Sequence, residues 1–279
     1  MSSDALKLLL SIPFEQADAL ENAGMTIHDI EMPVIEAIGK ASSLRRLSWS
    51  SPELNHTAIL RKFPWSQLTH FRFECLSFWD DALALAACCT SVVTMQIQCE
   101  SLGLVCMAPS TLSFPHLRAL DLSSNGTEIF GVVSYLWHCP RLQVLILSSK
   151  YWASQASAEE VLLSSLRVFS HYPLHFLQIH AQCMPNKLLP MIFTVSTLVK
   201  IPTFNIRVFS DYSTSTSAII SEIEANLAQH IPEKARSWKL RADARGSLFV
   251  GWVDPESVNT LQKNPELRDI VSVNPQLLL

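Results

Sequence analysis

The chain has 279 residues, is 48% hydrophobic and 16% charged, and carries a formal net charge of −4 at pH 7. That length buries a large core, and a charged share well below the usual quarter or so suits a chain with much internal surface. The slightly acidic balance excludes a general electrostatic pull toward nucleic acid or an anionic membrane surface.

In chain order, residues 1 to 43 read as helical, with Val34, Ile35 and Ile38 of MPVIEAIGKA on one face. The first residues lack a basic segment and place Asp4 ahead of a short apolar run, so no secretory leader is expected. An earlier frame between Leu20 and Ile30 is a candidate, although ENAGMTIHDI fits it poorly. From Leu44 the pattern becomes regular. Leu44, Leu47 and Trp49 (SSLRRLSW) set an apolar frame in which the first, fourth and sixth positions are large and buried. The frame recurs at Leu68, Phe71 and Phe73, at Val92, Met95 and Ile97, at Leu117, Leu120 and Leu122, and at Leu142, Leu145 and Leu147, with spacings of 24, 24, 25 and 25 residues. In FPHLRALDLSSN, Asn125 completes the L-x-x-L-x-L-x-x-N form of a leucine-rich repeat, one short strand per unit. A period of this size predicts an α/β solenoid with a curved parallel sheet, each unit burying its apolar side on the next.

The returns between strands differ. Ser51 to Trp65 holds a short helical stretch between Pro52 and Pro64, Ser77-Phe-Trp-Asp80 reads as a capping box opening a helix to Cys89, and SLGLVCMAPSTLSFP is loop-like. IFGVVSYLWHC is helical, and Ser157-Ala-Glu-Glu160 caps a helix running to Phe169. The next frame, Leu174, Leu177 and Ile179, follows after 32 residues, the excess falling in SKYWASQAS. A further frame is placed at Leu198 and Ile201, behind the Pro190-interrupted helix KLLPMIFTV. Ile219, Ile220, Ile223 and Leu227 form a helix stripe; beyond it Trp238, Leu240 and Ala242 alternate with Lys239, Arg241 and Asp243, and LFVGWV returns as a second strand. The chain therefore divides into a solenoid over 1–232, with clear frames over 44–203, and a hairpin cap with a tail over 233–279, whose apolar end QKNPELRDIVSVNPQLLL either docks back or is disordered.

The segments CPRLQVLIL, PWSQLTHFRF and FPHLRALDL, on irregular units of 24 to 25 residues, resemble the repeat region of F-box/leucine-rich-repeat proteins of fungal type over roughly residues 30 to 205. That resemblance implies the substrate-recognition part of a ubiquitin-ligase receptor. The N-terminal F-box, which would bind a Skp-type adaptor, is not found; IPFEQADAL is a faint echo of it. A Skp-type partner is implied only if an F-box lies upstream.

The catalytic signatures G-x-G-x-x-G, G-x-x-x-x-G-K-[ST], H-E-x-x-H and G-x-S-x-G do not occur in the chain. Seven cysteines without a C-x-x-C pair read as reduced, buried thiols, with Cys89 and Cys139 each three residues ahead of a frame, where a small side chain closes the preceding element onto the sheet. Asp80 and Asp81 read as helix-start acids, and Pro173 separates His171 from His175 and His180, so neither group is assigned to catalysis or metal. The basic run Lys234, Arg236, Lys239, Arg241 and Arg245 with Trp238 reads as a solvated hairpin face. No cofactor, metal, nucleic-acid or membrane partner is expected. The expected function is a non-catalytic, monomeric protein-interaction scaffold of the cytoplasm or nucleus. The alternative is a hydrolase or transferase on an irregular α/β fold.

Strand alternation puts the third, fifth and seventh frame positions on the face away from the core. Arg46, His70 and Arg72 form a basic end of that face, suited to an acidic segment. Val144, Ile146 and Phe176 make it apolar further on, next to Tyr151 and Trp152 in the lengthened connection; either these five form one contact patch for a protein partner, or Tyr151 and Trp152 fold down over the core edge and the chain hides its own apolar patch.

Overall fold

The computed structural model describes residues 21–26, 41–51, 63–75, 79–100, 112–126, 128–133, 138–150, 156–182, 184, 187–209, 216–242, 247–268 and 270. Alternating apolar and polar residues make each frame a strand: β1 (Asn22–Thr26), β2 (Arg46–Ser51), β3 (His70–Cys75), β4 (Thr94–Cys99), β5 (Ala119–Ser124), β6 (Val144–Ser149), β7 (Phe176–Gln182) and β8 (Thr203–Phe209). They pair in parallel and in chain order. The hairpin β9 (Lys239–Ala242) and β10 (Ser247–Trp252) completes a mixed ten-stranded sheet, with β10 antiparallel between β8 and β9. The sheet is open, not a closed barrel, because β1 and β9 end it without meeting.

Pairing follows the frame residue for residue. Leu47, Phe71, Met95, Leu120, Leu145, Leu177 and Phe204 stand in one row, and Trp49, Phe73, Ile97, Leu122, Leu147, Ile179 and Ile206 in the next. All are buried in one core with the helices α1 (Trp79–Ala87), α2 (Glu128–Val133), α3 (Ala156–Val168), α4 (Leu188–Ile192) and α5 (Thr216–His230). Aromatic rings thicken the core at one end, where Trp49 stacks on Trp65 at 6.1 Å and Phe63 on Trp65 at 4.9 Å.

Two backbone devices repeat with the period. The carbonyls of Glu21, Arg45, Thr69, Val93, Arg118 and Gln143 each accept two successive amides of the following strand. The amide of the first frame residue donates to the carbonyl three residues back, at Ala41, Trp65, Cys89, Phe114 and Cys139. Cys89 and Cys139 thus occupy a repeated buried position, as the spacing implied. The position does not demand a small side chain, since Trp65 and Phe114 fill it elsewhere. Both thiols are free, and burial drives their ionisation well up, that of Cys139 to about 12.

Three expectations change. Residues 22 to 26, within the stretch read as helical, form the strand β1, so the candidate frame between Leu20 and Ile30 is present: Ala23 pairs with Leu47 and Met25 with Trp49, and Ala23 packs against the core. The last frame slips by three residues. Ile201, not Leu198, takes the first position, because Leu177 pairs with Phe204 and Ile179 with Ile206, and Ser196–Lys200 forms a 3-10 turn instead. Beyond the hairpin, Pro255–Lys263 is a helix, α6, capped by Asp254, whose carboxylate accepts the amides of Glu256 and Ser257. The readings at 52–62, at the Ser77 cap and at 101–111 lie outside the described residues.

Candidate functional site

The face of the sheet away from the core carries three rows. The first runs Arg46, His70, Thr94, Ala119, Val144, Phe176, Thr203; the second runs Ser48, Arg72, Gln96, Asp121, Ile146, Gln178, Asn205; the third runs Ser50, Glu74, Gln98, Ser123, Ser148, His180, Arg207. Arg72 is exposed, on the side that alternation assigned to it. This face has two halves that meet at β5.

The half from β5 to β8 is covered. Val258, Leu261, Leu267 and Ile270 close over Ala119, Val144, Ile146 and Phe176 as a second apolar cluster, with Phe249 packed at its side. Val144, Ile146 and Phe176 are at most 3% exposed, so the contact patch expected to await a partner is filled by the chain's own C-terminal segment. The physical reason is plain: an apolar patch of this size is costly to leave in water, and α6 carries an apolar stripe that matches it. Polar contacts pin the segment. Arg118 pairs with Glu266 at 3.2 Å, and the Asp254 amide donates to Thr203 Oγ1 at 3.1 Å. Tyr151 and Trp152 lie outside the described residues.

The half over β3 to β5 is open and forms a cleft of about 370 Å³ lined by Arg72, Glu74, Gln96, Gln98, Asp121 and Ser123. Arg72 donates to Glu74 Oε1 from two nitrogens, so one of the cations read into the Arg46, His70 and Arg72 end is ion-paired. His70 Nδ1 lies 2.9 Å from the hydroxyl of Thr69. At the floor, Gln96 Nε2 donates to Asp121 Oδ2 at 3.4 Å. Burial raises the Asp121 carboxyl to about 6, although the Gln96 bond and the Arg72 charge both pull it down.

A second titratable group lies further along the third row. Ser148 Oγ is 3.3 Å from His180 Nδ1, and the Gln178 amide contacts Nε2. Burial, helped by Arg207, depresses His180 to about 4. At neutral pH this is an uncharged imidazole and a weak base, poorly matched to general-base work near pH 7. Arg207 lies 5.0 Å from the Phe249 ring, and Lys234 stacks on Trp252 at 5.5 Å, which gives one member of the basic run a packing role.

Sequence alternation found the rows and the apolar patch; of the cleft residues it singled out Arg72 alone. It missed α6 as the cover, whose signal was present in Asp254-Pro255-Glu256, an N-cap followed by proline and an acid at a helix start. Among the described residues, no group of three or more His, Cys, Asp or Glu could hold a metal ion, and no helix is long and apolar enough to cross a membrane. No protein-family model matches the chain, and no curated protein matches it significantly.

Proposed function

We propose that the chain is a non-catalytic protein-interaction scaffold built on leucine-rich repeats, the substrate-recognition part of a receptor resembling the F-box type. The observation that carries this reading is the register: rows continuous across parallel strands in chain order present side chains at fixed spacing over a long face. Repeat architectures use such faces to bind extended partners. The recurring paired amides on one carbonyl per unit, and Asn125 Nδ2 donating to the Glu100 carbonyl at 2.8 Å, support a repeat reading of the backbone as well.

The test is comparative capture. The intact chain and a face variant, Gln96→Arg/Gln98→Arg, are each used to retain proteins from the source cell, beside Val161→Asp/Met191→Asp as a control at exposed apolar positions away from the cleft. Loss of specific partners in the face variant alone is the expected result. Identical sets for all three proteins would end the reading. An F-box in the transcript upstream of Met1 would place the scaffold beside a Skp-type adaptor; without one, adaptor binding is not expected.

A further inference from the structure

We infer that the open cleft over β3 to β5 binds a Lys or Arg side chain presented by an extended segment of a protein partner, with the Asp121 carboxylate as its counter-charge. The inference deepens the scaffold reading and rests on it.

Charge bookkeeping within the cleft decides the sign. Arg72 and Glu74 satisfy each other at the rim. Asp121 is left with a single long bond from a neutral amide, 3.4 Å from Gln96 Nε2. The polar-face neighbours of Asp121 on β4 are Thr94, Gln96 and Gln98, and on β6 they are Val144, Ile146 and Ser148; none of these is charged. Arg118, just ahead of β5, is paired with Glu266. His180, two strands away on β7, is held neutral at physiological pH. The Arg72 guanidinium, two strands away, also acts on Asp121 but is already bound to Glu74, so one cation faces two carboxylates in the cleft, and a guanidinium or ammonium from outside supplies both the missing charge and N–H donors. The Gln96 and Gln98 amide oxygens and the Ser123 hydroxyl can accept the donors that Asp121 does not.

Size and shape narrow the ligand. A volume of about 370 Å³ lies at the low end of the range of ligand pockets, about 300 to 1,000 Å³, room for one long side chain and its backbone rather than for a large cofactor. The adjoining half of the same face already seats a peptide segment, the chain's own residues from Pro255 onward, and among the described residues that apolar cover reaches β5 and no further. A partner segment is therefore expected on the rows that this cover leaves free. The sequence alone suggested an acidic partner for the Arg46, His70 and Arg72 end; within the cleft, the Arg72–Glu74 pair and the further carboxylate of Asp121 favour a basic one. A bound cation also favours the ionised carboxyl, so binding strengthens as pH rises through the Asp121 titration.

Two measurements on the full chain test this. In the first, peptide pools with one fixed central residue and randomised flanks are bound to the protein and to Asp121→Asn. Lys- and Arg-centred pools should be retained above Glu-, Asp- and Leu-centred pools, and Asp121→Asn should reduce that preference by on the order of tenfold or more. In the second, which needs no variant, the Asp121 carboxyl is titrated by carbon NMR with and without N-acetyl-argininamide; its midpoint should fall. Preference for acidic pools, or no cation preference together with an unmoved midpoint, overturns the inference. A midpoint moved by N-acetyl-argininamide while no peptide pool is retained overturns it as a docking site for a protein segment. Acidic preference would leave the scaffold reading intact, whereas that reading fails separately if Gln96→Arg/Gln98→Arg captures the same proteins as the parent.

Discussion

Asp121 and His180 make opposite demands on folding as pH changes, and separating them tests the electrostatics of the polar face. Asp121 moves from its ordinary 3.8 to about 6 on folding. Between those values the folded chain keeps a proton that the unfolded chain has lost, so stability falls as pH rises from about 4 to about 6. The penalty is fully present above that window. At about 1.4 kcal/mol for each pH unit, it amounts to at most about 3 kcal/mol. His180 moves from 6.5 down to about 4. There the unfolded chain binds a proton that the folded chain refuses, so stability rises over nearly the same window by a similar amount, about 3 kcal/mol. The two trends nearly cancel in the parent protein. Each variant should expose the other. Relative to the parent, Asp121→Asn should gain stability between pH 4 and pH 6.5 by up to about 3 kcal/mol, and His180→Phe should lose a comparable amount over the same range. Urea unfolding at half-unit pH steps, followed by tryptophan fluorescence, measures both differences, and all other carboxylates drop out of the comparison. Parallel profiles for the parent and either variant would refute the burial assigned to that group.

Other expected outcomes follow from single contacts. Leu120, 1% exposed between Met95 and Leu145, should cost about 2 to 5 kcal/mol when changed to Ala, and hydrogen exchange should show lost protection in β4 and β6 as well as β5; a parent-like melt would contradict the continuous core. Gly251 has φ +152, and a Cβ there would meet the Phe204 carbonyl oxygen at 2.1 Å, so Gly251→Ala should destabilise by more than about 1 kcal/mol, while Gly24→Ala, with nothing within 4 Å, should be near neutral by thermal melting. Leu261→Asp should release the C-terminal cover without unfolding the sheet, raising binding of an apolar dye and speeding proteolysis beyond Val253 while strand amides stay protected; uniform loss of protection would show that α6 is integral to the sheet's stability.

How much of this was legible in the sequence depended on whether a signal was periodic. Leu44 through Leu147 repeat on a nearly fixed spacing, the Leu174 frame follows after a longer step, and each of these apolar frame residues is buried where alternation put it. Asn22–Thr26 was faint for the opposite reason: Ala23 and Met25 take the fourth and sixth frame positions opposite Leu47 and Trp49, but a residue as small as Ala23 makes the frame a poor match, and pairing to β2 fixes it. At Leu198 and Ile201 two apolar residues three apart each fit the first position, and only the pairing with β7 chooses between them. Propensity arguments see neither kind of choice, because both are made by the neighbouring strand.

The cover on the polar face shows the further limit of local reading. Val144, Ile146 and Phe176 were correctly read as an apolar interruption of a polar face, and an apolar interruption does signal a contact. It does not say whose. Between Phe176 and Val258 lie about eighty residues, two helices and a hairpin, and nothing in the pattern around either end names the other. What decides is topology. The antiparallel β10 ends at Trp252, opposite Phe204 near the start of β8, and so delivers Asp254 beside Thr203, at the edge of the apolar rows, with only one helix turn needed to bring Val258 over them. The hairpin is thus the element that sets the polarity of the whole face. By reversing the chain direction once, it sends the C-terminal segment back across β7 and β6 to β5, and among the described residues leaves the rows before β5, with Asp121 at their border, as the part of the face still open to another molecule.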